Sequence, residues 1–278
     1  MNPAPAPRGF RHATTGMVGL RAVGAGSAHS FPRHTHEEYG IGVIISGGQI
    51  SASGRGQVSA GAGDVITVNP AEVHDGLPLG GRPRHWRMIY LAPGLMTDLA
   101  CGIDPLAEGD VEFNAPVFTR PKRAMSLLAG LDRLLSAAPR DPDDSALSTE
   151  TWLLRVLAPF LHRRRRPEST VDLAHPGLAR AKALLDDDGY AADLSLARLA
   201  NEAGLSRFQL LRAFAARHGL PPHAYLMQRR ADAARRSIEF GATLAEAALR
   251  AGYADQSHMT RDFRRRYGLS PSAFRNAP

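Results

Sequence analysis

The sequence predicts a multidomain α+β chain: a β-rich N-terminal barrel or sandwich followed by two helices, then an all-α C-terminal domain. Three observations predict it. Short β-like runs give way to helical spacing near Pro121, the basic charge gathers in the second half, and a helical stretch near the C-terminus occurs twice. A length of 278 residues is enough for two domains and two apolar cores.

The charge distribution narrows the partner. Residues 1–162 carry 14 Lys/Arg against 15 Asp/Glu, and residues 163–278 carry 20 against 12. A basic half beside a near-neutral half points to a polyanion bound by the basic half. The first ten residues have no apolar stretch of the secretory kind, and no 18-residue window is apolar throughout. The cytoplasm is therefore the expected location, with no membrane partner. The single cysteine, Cys101, excludes an intramolecular disulfide and a cysteine zinc cluster, and is expected to be a buried small residue.

Taken in order, residues 1–15 read as a loosely tethered or disordered start, with three prolines among the first seven positions. Residues 16–120 hold apolar runs such as Tyr39–Ile45, Asp64–Val68 and Arg87–Leu91. Turn signals at Ser46-Gly47-Gly48 and Asn69-Pro70 separate them, as in an all-β sandwich or barrel. Residues 121–162 read as two helices. The first, Lys122–Ala137, sets Met125, Leu128, Leu131 and Leu135 at helical spacing; the second, Ser145–His162, does the same with Leu147, Leu154 and Leu157. Their apolar stripes either form a dimer interface or pack on the barrel. Residues 163–175, opening with four arginines, read as a linker.

Residues 176–278 read as helices over 177–188, 196–203, 207–218, 222–240, 244–251 and 257–267. Each is followed by a glycine, which accepts the left-handed conformation that ends a helix. Within them Ser195–Tyr225 and Thr243–Phe274 are two copies of one pattern. Ala203 and Gly204 match Ala251 and Gly252. After one extra residue in the second turn, Arg212, Phe214 and Gly219 match Arg261, Phe263 and Gly268.

Each copy has the form of a helix-turn-helix: a capping Ser195 or Thr243, a small Ala200 or Ala248 for close approach, a turn glycine, then a second helix with a core phenylalanine. The second helix of such a motif enters the DNA major groove. Arg207, Phe208, Leu211 and Arg212, with Gln256, Ser257, Thr260 and Arg261, are the candidates to read bases. Arg217, Arg264, Arg265 and Arg266 lie further along and are candidates for phosphates. The copies are joined by one continuous helix over His223–Phe240. At about 1.5 Å per residue it spans roughly 27 Å, somewhat short of the ~34 Å DNA turn. It can place two recognition helices in successive grooves, or with DNA bending, or leave one groove unused.

These residues resemble the AraC/XylS family of bacterial regulators. The resemblance rests on A-x-x-A-G-L-S at Ala200–Ser206, L-x-R-x-F at Leu210–Phe214, A-G-Y-x-D-Q-S-H-M-x-R-x-F at Ala251–Phe263 and G-x-S-P at Gly268–Pro271. Tyr253 stands where the family has phenylalanine, and Met259 where it has an aromatic. The resemblance implies tandem helix-turn-helix units, with Phe208, Arg212, Gln256, Ser257 and Arg261 facing the groove. The N-terminal part resembles, more weakly, the cupin-like effector barrel of that family, through Pro32–Gly47 and Gly63–His74. The two helices after it resemble dimerisation helices. A DNA-repair regulator with the same DNA module would need a nucleophilic cysteine motif that Ala100–Ile103 does not match.

His34, His36 and Glu38 are spaced by two, which on a strand puts them on one face, and His74 can converge on them. The reading adopted is hydrogen bonding to a small polar effector, with Trp86 and Met88 lining the pocket and with no metal or cofactor. A metal site of His34, His36 and His74 stays open, although metal-binding cupins place their glutamate further along than Glu38. So does a role without any ligand. An enzyme such as a cupin dioxygenase would use the same histidines, but it has no need of a tandem DNA-reading module. The function expected is transcription regulation by a homodimer that binds double-stranded DNA and answers to a small molecule, with RNA polymerase as a further partner.

Overall fold

The computed structural model describes residues 9–15, 17–103, 111–136, 142–163, 176–187 and 194–276. The chain divides into two compact units, and the second groups Phe31–His34 with the C-terminal residues. The N-terminal half opens with strands β1 (Gly9–Thr14), β2 (Leu20–Ser27), β3 (Phe31–His34), β4 (Tyr39–Ser46), β5 (Gly48–Ser53), β6 (Gly56–Gly61), β7 (Val65–Val68), β8 (His74–Pro78) and β9 (Arg84–Leu91). Helix α1 (Pro93–Ile103), strands β10 (Val111–Phe113) and β11 (Val117–Phe118), helices α2 (Ala124–Ser136) and α3 (Pro142–Leu157), and β12 (Leu161–Arg163) follow.

Two main sheets carry the unit: six strands in the order β1-β2-β9-β4-β7-β11, and four in the order β3-β8-β5-β6. They form a cupin-like pair of sheets rather than a closed barrel. Side-chain alternation gives the larger sheet two buried faces. Ile41 and Val43 of β4 and Ile89 and Leu91 of β9 join the core shared with Met96 and Leu99 of α1, Leu127 and Leu131 of α2, and Leu153 and Leu157 of α3. On the opposite face β9 presents Arg84, Trp86 and Met88, all buried. Arg84 reaches the smaller sheet there, donating to Gln49 Oε1 and to the carbonyls of His29 and Gly76 at 3.1–3.2 Å. Burial lowers its guanidinium to about 10. Gly42 makes this face passable: a Cβ there would lie 2.2 Å from both the Arg87 carbonyl and Met88 Cγ.

Several details depart from the sequence reading. Gly9–Thr14, inside the expected loose start, pairs along its length with Arg21–Gly26 of β2. Helix α1 falls inside the stretch expected to be β-rich; Met96, Leu99 and Ala100 form its buried stripe. Cys101 lies one position past that stripe and is exposed, not buried. The expected helix to His162 stops at Leu157, because Pro159 removes an N–H and clashes with the preceding turn. Leu161–Arg163 instead pairs antiparallel with β10. Ala124, Leu127, Gly130 and Leu131 are buried in α2, and Met125 is 73% exposed. The expected linker, apart from Arg163, lies outside the described residues, as does the side chain of Leu147.

Apart from β3, the second unit is helical: α4 (Pro176–Asp187), α5 (Leu196–Ala203), α6 (Arg207–His218), α7 (Pro222–Glu239), α8 (Leu244–Arg250), α9 (Gln256–Tyr267) and α10 (Pro271–Arg275). Among the described residues, no helix is long and apolar enough to cross a membrane.

Candidate nucleic-acid interface and ligand site

The duplicated pattern folds into two helix pairs, α5–α6 and α8–α9. Ser195 caps α5 through the Arg198 amide, and Thr243 caps α8 in a reciprocal box with Glu246. Gly204 and Gly252 turn each chain with φ of 65° and 74°, a left-handed conformation that costs glycine least. Ser206, boxed with Gln209, starts α6; Asp255, accepting from the His258 amide at 2.6 Å, starts α9. These caps satisfy amides that have no helical partner and fix where each second helix begins.

Both second helices are split into an inner and an outer face. In α9 the buried residues are Met259, Asp262, Phe263 and Arg266, at i, i+3, i+4 and i+7. Ser257, Thr260, Arg261 and Arg264 repeat that spacing on the other face; Thr260 is half-buried and the rest are exposed. In α6 Leu210 and Phe214 are buried, while Arg207, Phe208, Leu211, Arg212 and Arg217 are exposed. Phe208 is 68% exposed, unusual for a phenylalanine, and the Arg212 guanidinium lies 5.7 Å from its ring centre. Gln256 is also exposed, at the first turn of α9. The only carboxylate within α6 and α9 is the buried Asp262, so neither outer face carries an anionic side chain.

Arg266 departs from its expected phosphate role. It is buried, with Nε donating to Asp262 Oδ2 at 2.9 Å and Nη1 to Gln228 Oε1 at 2.8 Å. Its position seven residues after Met259 puts it on the inner face. Arg265 is 63% exposed yet also donates to Asp262 Oδ1 at 2.8 Å. Sequence reasoning missed this network and a second one on α4, where Asp186 accepts from Tyr225 and pairs with Lys182. The available signals were the i,i+4 pairs Asp262/Arg266 and Lys182/Asp186.

The linking helix α7 runs for 18 residues. Its buried face carries Met227, Ala234 and Ile238, packed with Ala247, Ala248, Phe263 and Phe274 of the second helix pair. Tyr225 of α7 meets Phe214 of the first pair edge-on at 5.7 Å. Thus one helix contributes to the cores of both pairs.

Among the described residues, three histidines form a cluster. One ligand nitrogen from each of His34, His36 and His74 lies within 4.8 Å of the others. His34 ends β3, His74 opens β8, and those strands are hydrogen-bonded neighbours. The His36 ring sits 5.2 Å from that of His74 and 5.5 Å from that of Tyr90. Burial pushes the His74 imidazole below its ordinary value, opposed by its bond to the Glu72 carbonyl and by the charges of Glu72 and Asp75. Glu38 pairs with Arg21 at 2.8 Å, and Arg21 stacks 4.3 Å from the Tyr90 ring centre. Met88 shares the inner face of β9 with Tyr90, whose hydroxyl points to its sulfur at 3.7 Å. Trp86 meets Phe10 edge-on and lies under Arg84, two positions further along the strand.

Tandem capped helix pairs with basic outer faces, attached to a β-rich unit with a polar histidine cluster, define a DNA-binding protein with a ligand domain. Residues 199–277 match the helix-turn-helix domain family, and residues 18–154 match the AraC-like ligand binding domain. The chain belongs to the AraC-type transcription regulators. It is 28% identical over 237 residues to the uncharacterized HTH-type transcriptional regulator YbfI of Bacillus subtilis (strain 168), covering 84% of this chain and 83% of that one. It is 25% identical over 255 residues to the HTH-type transcriptional activator RhaS of Klebsiella pneumoniae (strain 342), covering 88% of each. ToxT of Vibrio cholerae has the same fold, with a TM-score of 0.55 at 11% identity over 92% of this chain and 98% of ToxT.

Proposed function

We propose that the chain reads a specific operator through α6 and α9 and that a small molecule held in the N-terminal unit sets how firmly it does so. The observation that carries this reading is the outer face of α9, where Ser257, Thr260, Arg261 and Arg264 follow helical spacing opposite a buried Phe263. Gln256 and Arg261 suit bidentate contacts to adenine and guanine, and Phe208 and Leu211 suit thymine methyl groups. Arg207, Arg212, Ser257 and Thr260 complete the base-reading set. Arg217, Arg264 and Arg265 are the phosphate contacts.

The effector is a small polar molecule that meets His34, His36 and His74 beside the Arg21–Glu38 pair, with Met88 and Trp86 on the apolar side. ToxT has been solved with an unsaturated fatty acid bound; the histidine cluster here favours a more polar ligand. The chain acts by binding, without turnover, in the cytoplasm. As the name of RhaS describes an activator, the outcome proposed is activation through RNA polymerase. A homodimer is proposed too, with the exposed Met125 of α2 at its interface. The ligand shifts DNA affinity only through different affinities for the states that bind and do not bind DNA.

The test is selection of bound duplexes from fragmented genomic DNA by the full chain. Salt-titrated affinity and footprinting then follow, with candidate polar ligands added, and light scattering reports the oligomer. Saturable, salt-sensitive binding with a defined footprint is expected. A chain that binds no duplex above background would overturn the reading.

A further inference from the structure

We infer that Tyr253 is a positioning residue for DNA binding: through the Asp262 carboxylate it holds the Arg265 guanidinium where a phosphate is met. This role rests on the reading of Arg265 as a phosphate contact. Hydrogen bonds converge on Asp262. The Tyr253 hydroxyl and Arg266 Nε each donate to Oδ2 at 2.9 Å, and Arg265 Nη2 donates to Oδ1 at 2.8 Å. Tyr253 and Asp262 are buried, whereas the Arg265 side chain is 63% exposed. The carboxylate therefore links the interior to a cation on the surface.

The terminal torsion of an aspartate is broad, so its carboxylate plane is set by what binds it. Two donors on Oδ2 fix that plane and leave Oδ1 for Arg265. Arg265 and Arg266 lie three and four positions after Asp262 on α9 and move with it. Tyr253 lies outside α9, in the turn between α8 and α9. Its hydroxyl thus ties the carboxylate itself to the turn. Burial and the Asp262 charge push that hydroxyl well above its ordinary value, so it stays a donor.

Arg265 needs such an anchor because of its neighbours. Arg261 and Arg264 are exposed cations four positions and one position before it. Like charges at i,i+4 repel, so an unanchored Arg265 would swing away from Arg261. DNA binding would then have to freeze a long side chain that the anchored protein holds in place beforehand. The first helix pair lacks the whole arrangement. Leu205 follows Gly204 where Tyr253 follows Gly252, and Ala213 and Ala216 stand where Asp262 and Arg265 do. Arg217, in the place of Arg266, is exposed. Hydroxyl, carboxylate and surface guanidinium are present together in the second copy and replaced together in the first.

The experiment measures the affinity of the full chain for a fluorescently labelled mixed-sequence duplex across a salt series. Wild type, Tyr253→Phe, Arg265→Ala and the double variant are compared. Arg265→Ala should lower the salt slope by about 1, as for one lost phosphate contact. Tyr253→Phe should weaken binding about 3- to 10-fold, the range for one side chain left to be immobilised on binding. In the Arg265→Ala background the same substitution should change affinity less than about 2-fold. Phenylalanine keeps the ring and removes only the hydroxyl, and circular dichroism checks the fold. Side-chain nitrogen relaxation of the wild-type chain, expected to show Arg265 more ordered than Arg264, decides even if a variant fails to fold. Equal losses in both backgrounds, an unchanged affinity in Tyr253→Phe, an unchanged salt slope in Arg265→Ala or an Arg265 as mobile as Arg264 overturns the role. A wild-type chain that binds no duplex is a different result, and it removes the DNA reading itself.

Discussion

Arg266 on α9 donates through Nη1 to Gln228 Oε1 on α7 at 2.8 Å, and both residues are buried. Around this bond the contacts continue. Asp262 accepts from Arg266 and Tyr253 through Oδ2, each at 2.9 Å; Gln228 donates to Asp232 at 3.2 Å; Tyr267 donates to Asp232 at 2.7 Å. Burial and the neighbouring carboxylates push both tyrosine hydroxyls well above their ordinary range, so they stay protonated donors. An apolar interface lets a helix slide or rotate among packings of similar energy. A hydrogen-bonded one has few alternatives, and here it sets the angle at which the outer face of α9 is presented.

Removing one member should therefore cost more than removing an exposed arginine. Asp262→Ala leaves the Arg266 guanidinium buried without its anion. A loss of about 3–5 kcal/mol is expected, the range for a broken buried pair. Urea unfolding followed by helical circular dichroism measures it. Both tryptophans, Trp86 and Trp152, lie in the N-terminal unit, so their fluorescence serves as an internal control. A loss under about 1 kcal/mol would mean that the network is incidental to α9.

Arg261 and Arg264 share the outer face of α9 but are given different roles. Arg261→Ala should lower operator affinity by about 1–3 kcal/mol and relax preference at one base pair. Arg264→Ala should weaken binding to every sequence alike and reduce the salt slope by about 1. Competition binding across single-base operator variants separates the two. An unchanged base preference in Arg261→Ala would remove that residue from base reading.

The helical half was the more legible part of the sequence because its signals are local. Caps at Ser195, Ser206 and Thr243, glycine stops and periodic apolar residues act within one or two turns, and helix bounds fall within a few residues of expectation. Duplication doubled each signal. Arg266 was misread because a cationic residue in a run of three arginines looks solvent-facing. Only its phase relative to Met259 and Phe263 reveals that it is buried. In the N-terminal half the decisive contacts are distant in sequence. His36 and His74 meet through the pairing of separate strands, and no spacing rule encodes that. Trp86 and Met88 share a strand face, yet Trp86 sits two positions further from Tyr90 than Met88 does.

Gly42 offers a stability test confined to the N-terminal unit. Its missing side chain admits the Arg87 carbonyl and Met88 at 2.2 Å from where a Cβ would stand. Backbone on that side cannot yield as a flexible side chain would, so Gly42→Ala forces β4 and β9 apart. The expected loss is about 1–3 kcal/mol, as for other overpacked cores. Tryptophan fluorescence should report it through Trp86, which pairs with Ile44 on the same strands, while helical unfolding of the C-terminal unit stays near wild type.

His218 on α6 makes the first helix pair sensitive to acid. Its ring packs 4.4 Å from Phe214 and 6.4 Å from Tyr225. Burial lowers its pKa, Lys182 of α4 and the neighbouring Arg217 lower it further, and Asp186 of α4 opposes them. A depressed folded-state value means that the unfolded chain binds the proton more readily. The contribution to stability is therefore full above the ordinary imidazole value of about 6.5 and is lost as pH falls below it through the folded value. Helical unfolding should show stability declining as pH falls from about 7.5 to 5.5. His218→Gln should flatten the decline while Tyr225 keeps its bond to Asp186. A slope that His218→Gln leaves untouched would assign the acid sensitivity to other groups.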